Sequence, residues 1–132
     1  MDAIVLDALA LLCQHAITSV AVIDAQNVLF GNLSLSDVKH VMKRHKHHLL
    51  YSSCATFVSF VKQEQGTIAG QDSMPVFDVH PHNTLRLAMR KMAATRAHRL
   101  WVTDKEGVLV GVVSLTDVLR TVYNFSKQPQ VD

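Results

Sequence analysis

Apolar positions first recur at helical spacing: Val5, Leu9, Leu12 and Cys13 fall on one face of the segment from Asp2 to His15. The pattern then changes period. Ile17 to Ile23 is β-rich, Asp24-Ala-Gln-Asn27 has turn chemistry, and Val28 to Leu33 is nearly all apolar, which predicts a return strand covered on both faces and belonging to the core. Ser34 follows, three residues ahead of Asp37, where the hydroxyl can cap a helix and the carboxylate suits its positive first turn; Val38, Val41 and Met42 supply the apolar face. Ser53 opens another helical stripe, Cys54, Phe57, Val58 and Val61, for which Gly66 is the expected stop and Gly66 to Ser73 the polar loop beyond it. Pro75 to Val79 reads as a short strand and His80 to Asn83 as a turn. Thr84 caps a helix bearing Leu85, Ala88, Met89, Met92 and Ala93. Leu100 to Thr103, the turn Asp104-Lys-Glu-Gly107, Val108 to Val113 and a second S-x-x-D at Ser114 to Asp117 lead into a helix with Val118, Leu119 and Val122 inward. Ser126 to Asp132 is expected to be a frayed tail.

The second half repeats the first. Shifting the chain by 80 residues lays Val20 to Met42 on Leu100 to Val122 without a gap, and nine of the 23 pairs are identical, among them Asp24/Asp104, Gly31/Gly111, Ser34/Ser114 and Asp37/Asp117. Agreement of that density marks an internal duplication. The unit is strand, helix, strand, strand, helix, and the first copy begins too late for its opening strand.

Composition narrows the function. With 132 residues, 48% hydrophobic and 18% charged, the chain is long enough and apolar enough for one compact domain or two small repeats. Its longest apolar run, Ala8 to Cys13, is far below the roughly 20 residues of a membrane span, and Asp2 and Asp7 replace the basic start of a secretory signal. No membrane association is expected, and the location expected is cytoplasmic, with the nucleus as the second compartment. A formal charge of +2 is too small for a groove that neutralises many phosphates, so nucleic acid is not an expected partner. Cys13 and Cys54 form no metal spacing; reduced core thiols are the reading, with a disulfide as the alternative.

Candidate chemistry is recognition, not catalysis. No nucleophile elbow, P-loop or acid/base carboxylate pair occurs, so an enzyme is not expected. Asp37 and Asp117 at helix starts could each accept from two ribose hydroxyls with the neighbouring Ser or Thr assisting, although helix capping alone also explains them. Arg96, His98 and Arg99 are a basic cluster beside a strand, suited to phosphate or to a solvated helix end. Lys39 to His48 holds four histidines, two other lysines beyond its first residue and an arginine, but no carboxylate or thiol in the run, so it reads as a solvated basic face and not as a metal site.

The duplicated pattern h-h-V-x-D, turn, h-h-G-h-h-S-L-[ST]-D-V and downstream helix resembles the CBS domain, and two in tandem resemble a Bateman module, over about Ala3 to Phe125. Thr84-Leu85, Ala97-His98-Arg99-Leu100 and Val113-Ser-Leu-Thr-Asp117 are similar to the last repeat of AMP-activated kinase gamma subunits. The first copy, with Thr18-Ser19 in place of His98-Arg99, resembles their third. The linker His-Leu-Leu-Tyr-Ser-Ser-Cys departs from them and looks more like fungal four-CBS proteins linked to stress, cell-cycle and phosphatase regulation.

That resemblance implies an α/β fold of tandem CBS repeats: repeat one at 1–48 without its opening strand, a connecting helix and loop at 49–74, repeat two at 75–125 and a tail at 126–132. It implies no cofactor but a ligand, AMP, ADP or ATP, in a cleft between the repeats, and a regulatory role that reports energy or nutrient state to a partner. Asn32, Ser34 and Asp37 would form the main site, with adenine-facing backbone from Val76 and Phe77 and phosphates at His98 and Arg99. Thr18, Val112, Ser114, Thr116 and Asp117 would form a second, weaker site. A homodimer through the helices is expected. The alternatives are a ligand-free scaffold regulating a kinase or phosphatase, and an assembly fragment of a larger kinase-associated subunit.

Overall fold

The computed structural model describes residues 2–69 and 77–128, with the backbone alone at 65–69, and divides the chain into two compact units, Met1–Met74 and Pro75–Asp132. Pro75 and Val76, and the expected loop and tail residues 70–73 and 129–132, lie outside the described residues. In the first unit the order is α1 (Val5–His15), β1 (Ser19–Ile23), β2 (Leu29–Ser34), α2 (Leu35–Lys43), a 3-10 turn (His47–Tyr51) and α3 (Cys54–Ala69). The second unit runs β3 (Asp78–Val79), α4 (Leu85–Thr95), β4 (Arg99–Thr103), β5 (Leu109–Ser114) and α5 (Leu115–Lys127). β1 and β2 form an antiparallel pair, whereas β4 is flanked by antiparallel β5 and parallel β3. The fold class is the expected α/β tandem.

Both hairpin turns are built alike. The Asp24 carboxylate accepts from the backbone N–H groups of Gln26 and Val28 at 2.8 and 3.0 Å, and Asp104 does the same for Glu106 and Val108 at 3.0 and 2.9 Å. Asn27 and Gly107 close the turns at φ 62° and 82°, the left-handed region that these two residue types enter most readily.

Several expected positions shift. Gly66 does not end α3, which continues to Ala69, because a single glycine inside a helix costs only about 1 kcal/mol. Ser126 and Lys127 belong to α5 and not to a tail. On α1, Ala8 is buried and Cys13 is exposed, since a 3.6-residue period moves Cys13 past the stripe formed by Val5, Ala8 and Leu12. The return strands are not two-sided core: Leu33 is the buried residue of β2, and on β5 Val110 and Val112 are 57% and 49% exposed. Met42, Met89, Leu119 and Val122 also stand largely exposed. Apolar composition marks these positions, but burial depends on what packs against each of them.

The two cores differ in size because of α3. Its Cys54, Phe57, Val58 and Val61 join Val5, Leu12, Val22, Leu33, Val38 and Val41 in a single cluster, so the segment expected to connect the repeats is packed into the first unit. Residues ahead of α1 dock at its start: Cys54 N–H donates to Ala3 O at 2.8 Å and Val5 N–H to Ser52 O at 3.0 Å. The second cluster holds Val79, Ala88, Met92, Leu100 and Val118, with no counterpart of α3 among the described residues.

Helix α3 approaches β2 so closely that a Cβ on Gly31 would meet Val58 Cγ1 at 2.5 Å, whereas a Cβ on Gly111 would meet nothing nearer than 3.7 Å. Lys62 spans the same contact, donating from Nζ to Phe30 O at 2.9 Å. Gly31→Ala should therefore destabilise by about 1–3 kcal/mol through overpacking against a buried β-branched residue. Gly111→Ala should stay within about 0.5 kcal/mol, and urea unfolding of the two variants side by side measures the difference.

Candidate functional site

The site grows from the junction of β2 with α2. Ser34 N–H donates to Asp37 Oδ2 at 3.1 Å and Asp37 N–H donates to Ser34 Oγ at 3.2 Å, a reciprocal capping box. Ser114 and Asp117 repeat it at 3.0 and 3.1 Å. Neighbouring strands hold both boxes in register. Ser19 pairs with Ser34 and Arg99 with Ser114, while Leu35 N–H donates to Thr18 O at 3.0 Å and Leu115 N–H to His98 O at 2.8 Å.

Strand alternation sets the faces. Gly31 and Leu33 face α3 and the core, so Asn32 and Ser34 stand on the opposite face of the hairpin, next to the Asp37 carboxylate. An amide, a hydroxyl and a carboxylate thus fall on one half-buried side of the hairpin. Oδ2 of Asp37 is the oxygen that accepts from the Ser34 N–H. In the second unit Val112, Ser114, Thr116 and Asp117 occupy the matching places, and Val112 brings no polar group where Asn32 does.

Within each unit, then, the expected site residues fall into two local groups: Thr18, Asn32, Ser34 and Asp37 in the first, and His98, Arg99, Val112, Ser114, Thr116 and Asp117 in the second. Phe77 is half-buried in the second unit, its carbonyl accepting from Trp101 N–H at 2.8 Å; Val76 is outside the described residues. Arg96 ends α4 in the left-handed region at φ 55°, and the exposed His98 follows it. His98 lines an apolar groove of about 390 Å³ between α4 and α5 with Met89, Met92, Leu115 and Leu119.

The two carboxylates differ electrostatically. Burial pushes Asp37 above the ordinary carboxylate value, against the opposing pull of its Ser34 hydrogen bonds and of His40. Asp117 is exposed, and the Ser114 backbone N–H, followed by the Ser114 hydroxyl, holds it below that value.

Two polar groupings escaped the sequence reading. Glu64 of α3 reaches the basic run, 3.2 Å from Arg44 Nη2 and 3.6 Å from His40 Nε2, so a carboxylate does join that face; twenty residues of separation concealed it. The fully buried Thr103 donates from Oγ1 to Asp78 Oδ2 at 3.2 Å, and its carbonyl lies 2.9 Å from His80 Nδ1. Thr103 standing where the first copy has Ile23 was the available signal. Among the described residues no three His, Cys, Asp or Glu side chains are grouped to hold a metal ion, both cysteines are free thiols, and no helix is long and apolar enough to cross a membrane.

A duplicated strand, helix, hairpin and capped helix defines a class. Residues 72–124 match the family model of the CBS domain, and the whole fold is that of a CBS domain pair: CBSX2 solved in complex with AMP superposes with a TM-score of 0.70 at 22% identity, covering 96% of this chain and 86% of that one. The CBS domain pair of MJ0100, solved with 5-methylthioadenosine and S-adenosyl-L-methionine, gives 0.64 at 16% identity over 93% and 83%. The chain is a tandem CBS module, and its curated relatives are fungal SDS23 proteins. It is 38% identical to Protein SDS23 of Kluyveromyces lactis over 131 residues, covering 89% of this chain and 25% of the relative. With Protein sds23/moc1 of Schizosaccharomyces pombe it shares 39% over 136 residues, 86% and 33%. The chain therefore spans about a quarter to a third of the relatives it matches.

The opposite displacements of Asp37 and Asp117 have opposite pH signatures. A carboxyl whose folded value is raised favours the folded state at low pH and loses that contribution as pH rises through the raised value; one whose value is lowered gains stability as pH rises towards the ordinary value. Melting curves from about pH 3 to pH 7 should show wild type losing ground to Asp37→Asn with rising pH and gaining on Asp117→Asn at the acid end.

Proposed function

We propose that this CBS pair is a regulatory module that binds an adenine nucleotide, AMP, ADP or ATP, and passes its occupancy to a partner protein. The observation that carries the reading is the Asn32, Ser34 and Asp37 group: a partly desolvated carboxylate at a helix start, with a hydroxyl and an amide on the strand that leads into it. Two adjacent hydroxyls of a ribose match such an acceptor, and a carboxylate already deprived of water gains more from them than a solvated one does. The AMP named with CBSX2 and the adenosine derivatives named with MJ0100 support that ligand class. The family resemblance adds His98 and Arg99 for phosphates and Val76 and Phe77 for the base. The function is non-catalytic, and its mechanism is a population shift: the nucleotide stabilises one arrangement of the chain and the partner binds that arrangement.

Asp117 is the weaker candidate. It is exposed and therefore solvated, Arg120 lies 4.0 Å from its Oδ1, and Val112 stands where Asn32 would help.

A second property rests on the α4–α5 groove. Leu115, Leu119 and Val122 of α5 share one side of the helix and are 37%, 59% and 41% exposed, an apolar face that pairing with a second copy would cover. Light scattering at high micromolar concentration should give a dimer, and Leu119→Glu should give a monomer that remains folded.

Calorimetry with AMP, ADP, ATP and S-adenosylmethionine tests the ligand reading. A nucleotide at a hundred times its Kd should add about 2.7 kcal/mol to the folded state and raise the melting temperature by several degrees. Asp37→Ala should weaken binding tenfold or more, the loss of roughly 1.5–3 kcal/mol expected for hydrogen bonds to a charged acceptor. Asp117→Ala should change it little. No binding by any of the four compounds would leave the ligand-free scaffold as the function, and the reverse order of the two variants would move the competent site to Asp117.

A further inference from the structure

The positive charge of this chain is concentrated in one place. Lys39, Lys43, Arg44 and Lys46 give the ten residues from Lys39 to His48 a formal charge of +4 with no carboxylate among them, against +2 for the whole chain, so everything else sums to −2. Of the four, Arg44 is engaged by Glu64; Lys39, Lys43 and Lys46 are exposed and carry no ion pair among the described residues. His45, His47 and His48 are exposed beside them.

The backbone holds these groups in a fixed turn. α2 ends in a Schellman motif, with Lys46 N–H donating to Val41 O and His45 N–H to Met42 O, each at 3.1 Å. Its left-handed position, at φ 56°, is filled by His45 where glycine is usual. Histidine there is strained relative to glycine, and its ring stands 6.4 Å from that of His47. The buried Leu49 and the Arg44–Glu64 pair, 3.2 Å apart, anchor the turn to the first core. A solvated helix end needs neither the strained histidine nor three unpaired lysines in a row of turns.

We propose that the α2 end and the 3-10 turn form a docking surface for an acidic segment of a partner protein, with carboxylate or phosphate groups bound by Lys39, Lys43 and Lys46 and by the ring N–H groups of His45 and His47. Charge complementarity selects an anion. Three unengaged lysines fall below the roughly four to eight basic residues that hold a polybasic segment to an anionic membrane. The imidazole pair supplies directional donors, which a side-chain carboxylate or phosphate uses and a diffuse headgroup layer does not. Tyr51 and Met42, 72% and 45% exposed at the borders of the patch, give such a segment apolar contact as well. This surface is separate from Asn32, Ser34 and Asp37, and its test needs no nucleotide.

Fluorescence anisotropy of the full chain with a labelled hexaglutamate peptide, and with the same peptide carrying two phosphoserines, measures docking and tells carboxylate from phosphate. Binding should weaken steeply with added salt. Lys43→Glu with Lys46→Glu should weaken it at least tenfold, while Arg90→Glu with Lys105→Glu, an equal change of charge in the other unit, should stay within twofold. His45→Gly removes the backbone strain, so it should raise the melting temperature while weakening the peptide several-fold; this variant keeps the test decisive even if the charge reversal impairs folding. Equal losses in the two double variants would reduce the effect to net charge and overturn the proposal. So would binding to phosphatidylserine vesicles in place of either peptide, or an affinity untouched by His45→Gly.

Discussion

The pair of hydrogen bonds exchanged between a serine at the end of a strand and an aspartate three residues later is the constraint on which both units are built. It stops the strand, satisfies a donor in the first helical turn and sets the direction in which the helix leaves the sheet. Each half costs little to form because the residues are close in sequence. Its geometry then fixes the carboxylate within reach of the strand face that carries Asn32 or Val112. Capping and ligand binding are thus not rival accounts of Asp37. The cap uses Oδ2 and the backbone N–H, and it holds the carboxylate at the start of the helix.

Identical caps have become unequal carboxylates because the surroundings differ. Around Asp37, helix α3 lies across β2, Glu64 sits near His40, and burial raises the cost of a charge. Asp117 is exposed, and its carboxylate is stabilised chiefly by Ser114, with Arg120 4.0 Å from Oδ1 adding to it. The duplication supplied two copies of one device, and the difference in burial made their carboxylates unequal.

That helix also explains the asymmetry of the cores. Gly31 permits α3 to lie within van der Waals contact of the strand, Lys62 clamps it from the side, and Phe57 and Val58 complete the first cluster. Gly111 has the same identity and the same strand position, but a Cβ there would meet only Val102, at ordinary contact distance. The second unit instead presents Met89, Leu119, Tyr123 and Phe125 outward along α4 and α5. The first unit packs the larger buried cluster, although Leu11, Met42 and Tyr51 stand exposed on it as well.

Local chemistry was legible from the residues alone: the turn aspartates with Asn27 and Gly107, the capping serines, the alternation of strand and helix, and the duplication that relates them. These features involve residues no more than four apart, or a pattern repeated in register, so the chain carries them without reference to anything distant. Burial was not legible. Val110 and Val112 are as apolar as a core strand, yet whether a second layer covers them depends on how many helices the unit possesses. The end of α3 was misplaced for a related reason, since contact with β1–β2 and α1 outweighs the small propensity cost of Gly66. Glu64 with Arg44, and Thr103 with Asp78 and His80, lie twenty or more residues apart, and only packing brings such groups together. The sequence determined which residues could cap, turn and bind; the tertiary structure decided which carboxylate is desolvated, because the dielectric around a charge is a property of everything packed against it and not of its neighbours in the chain.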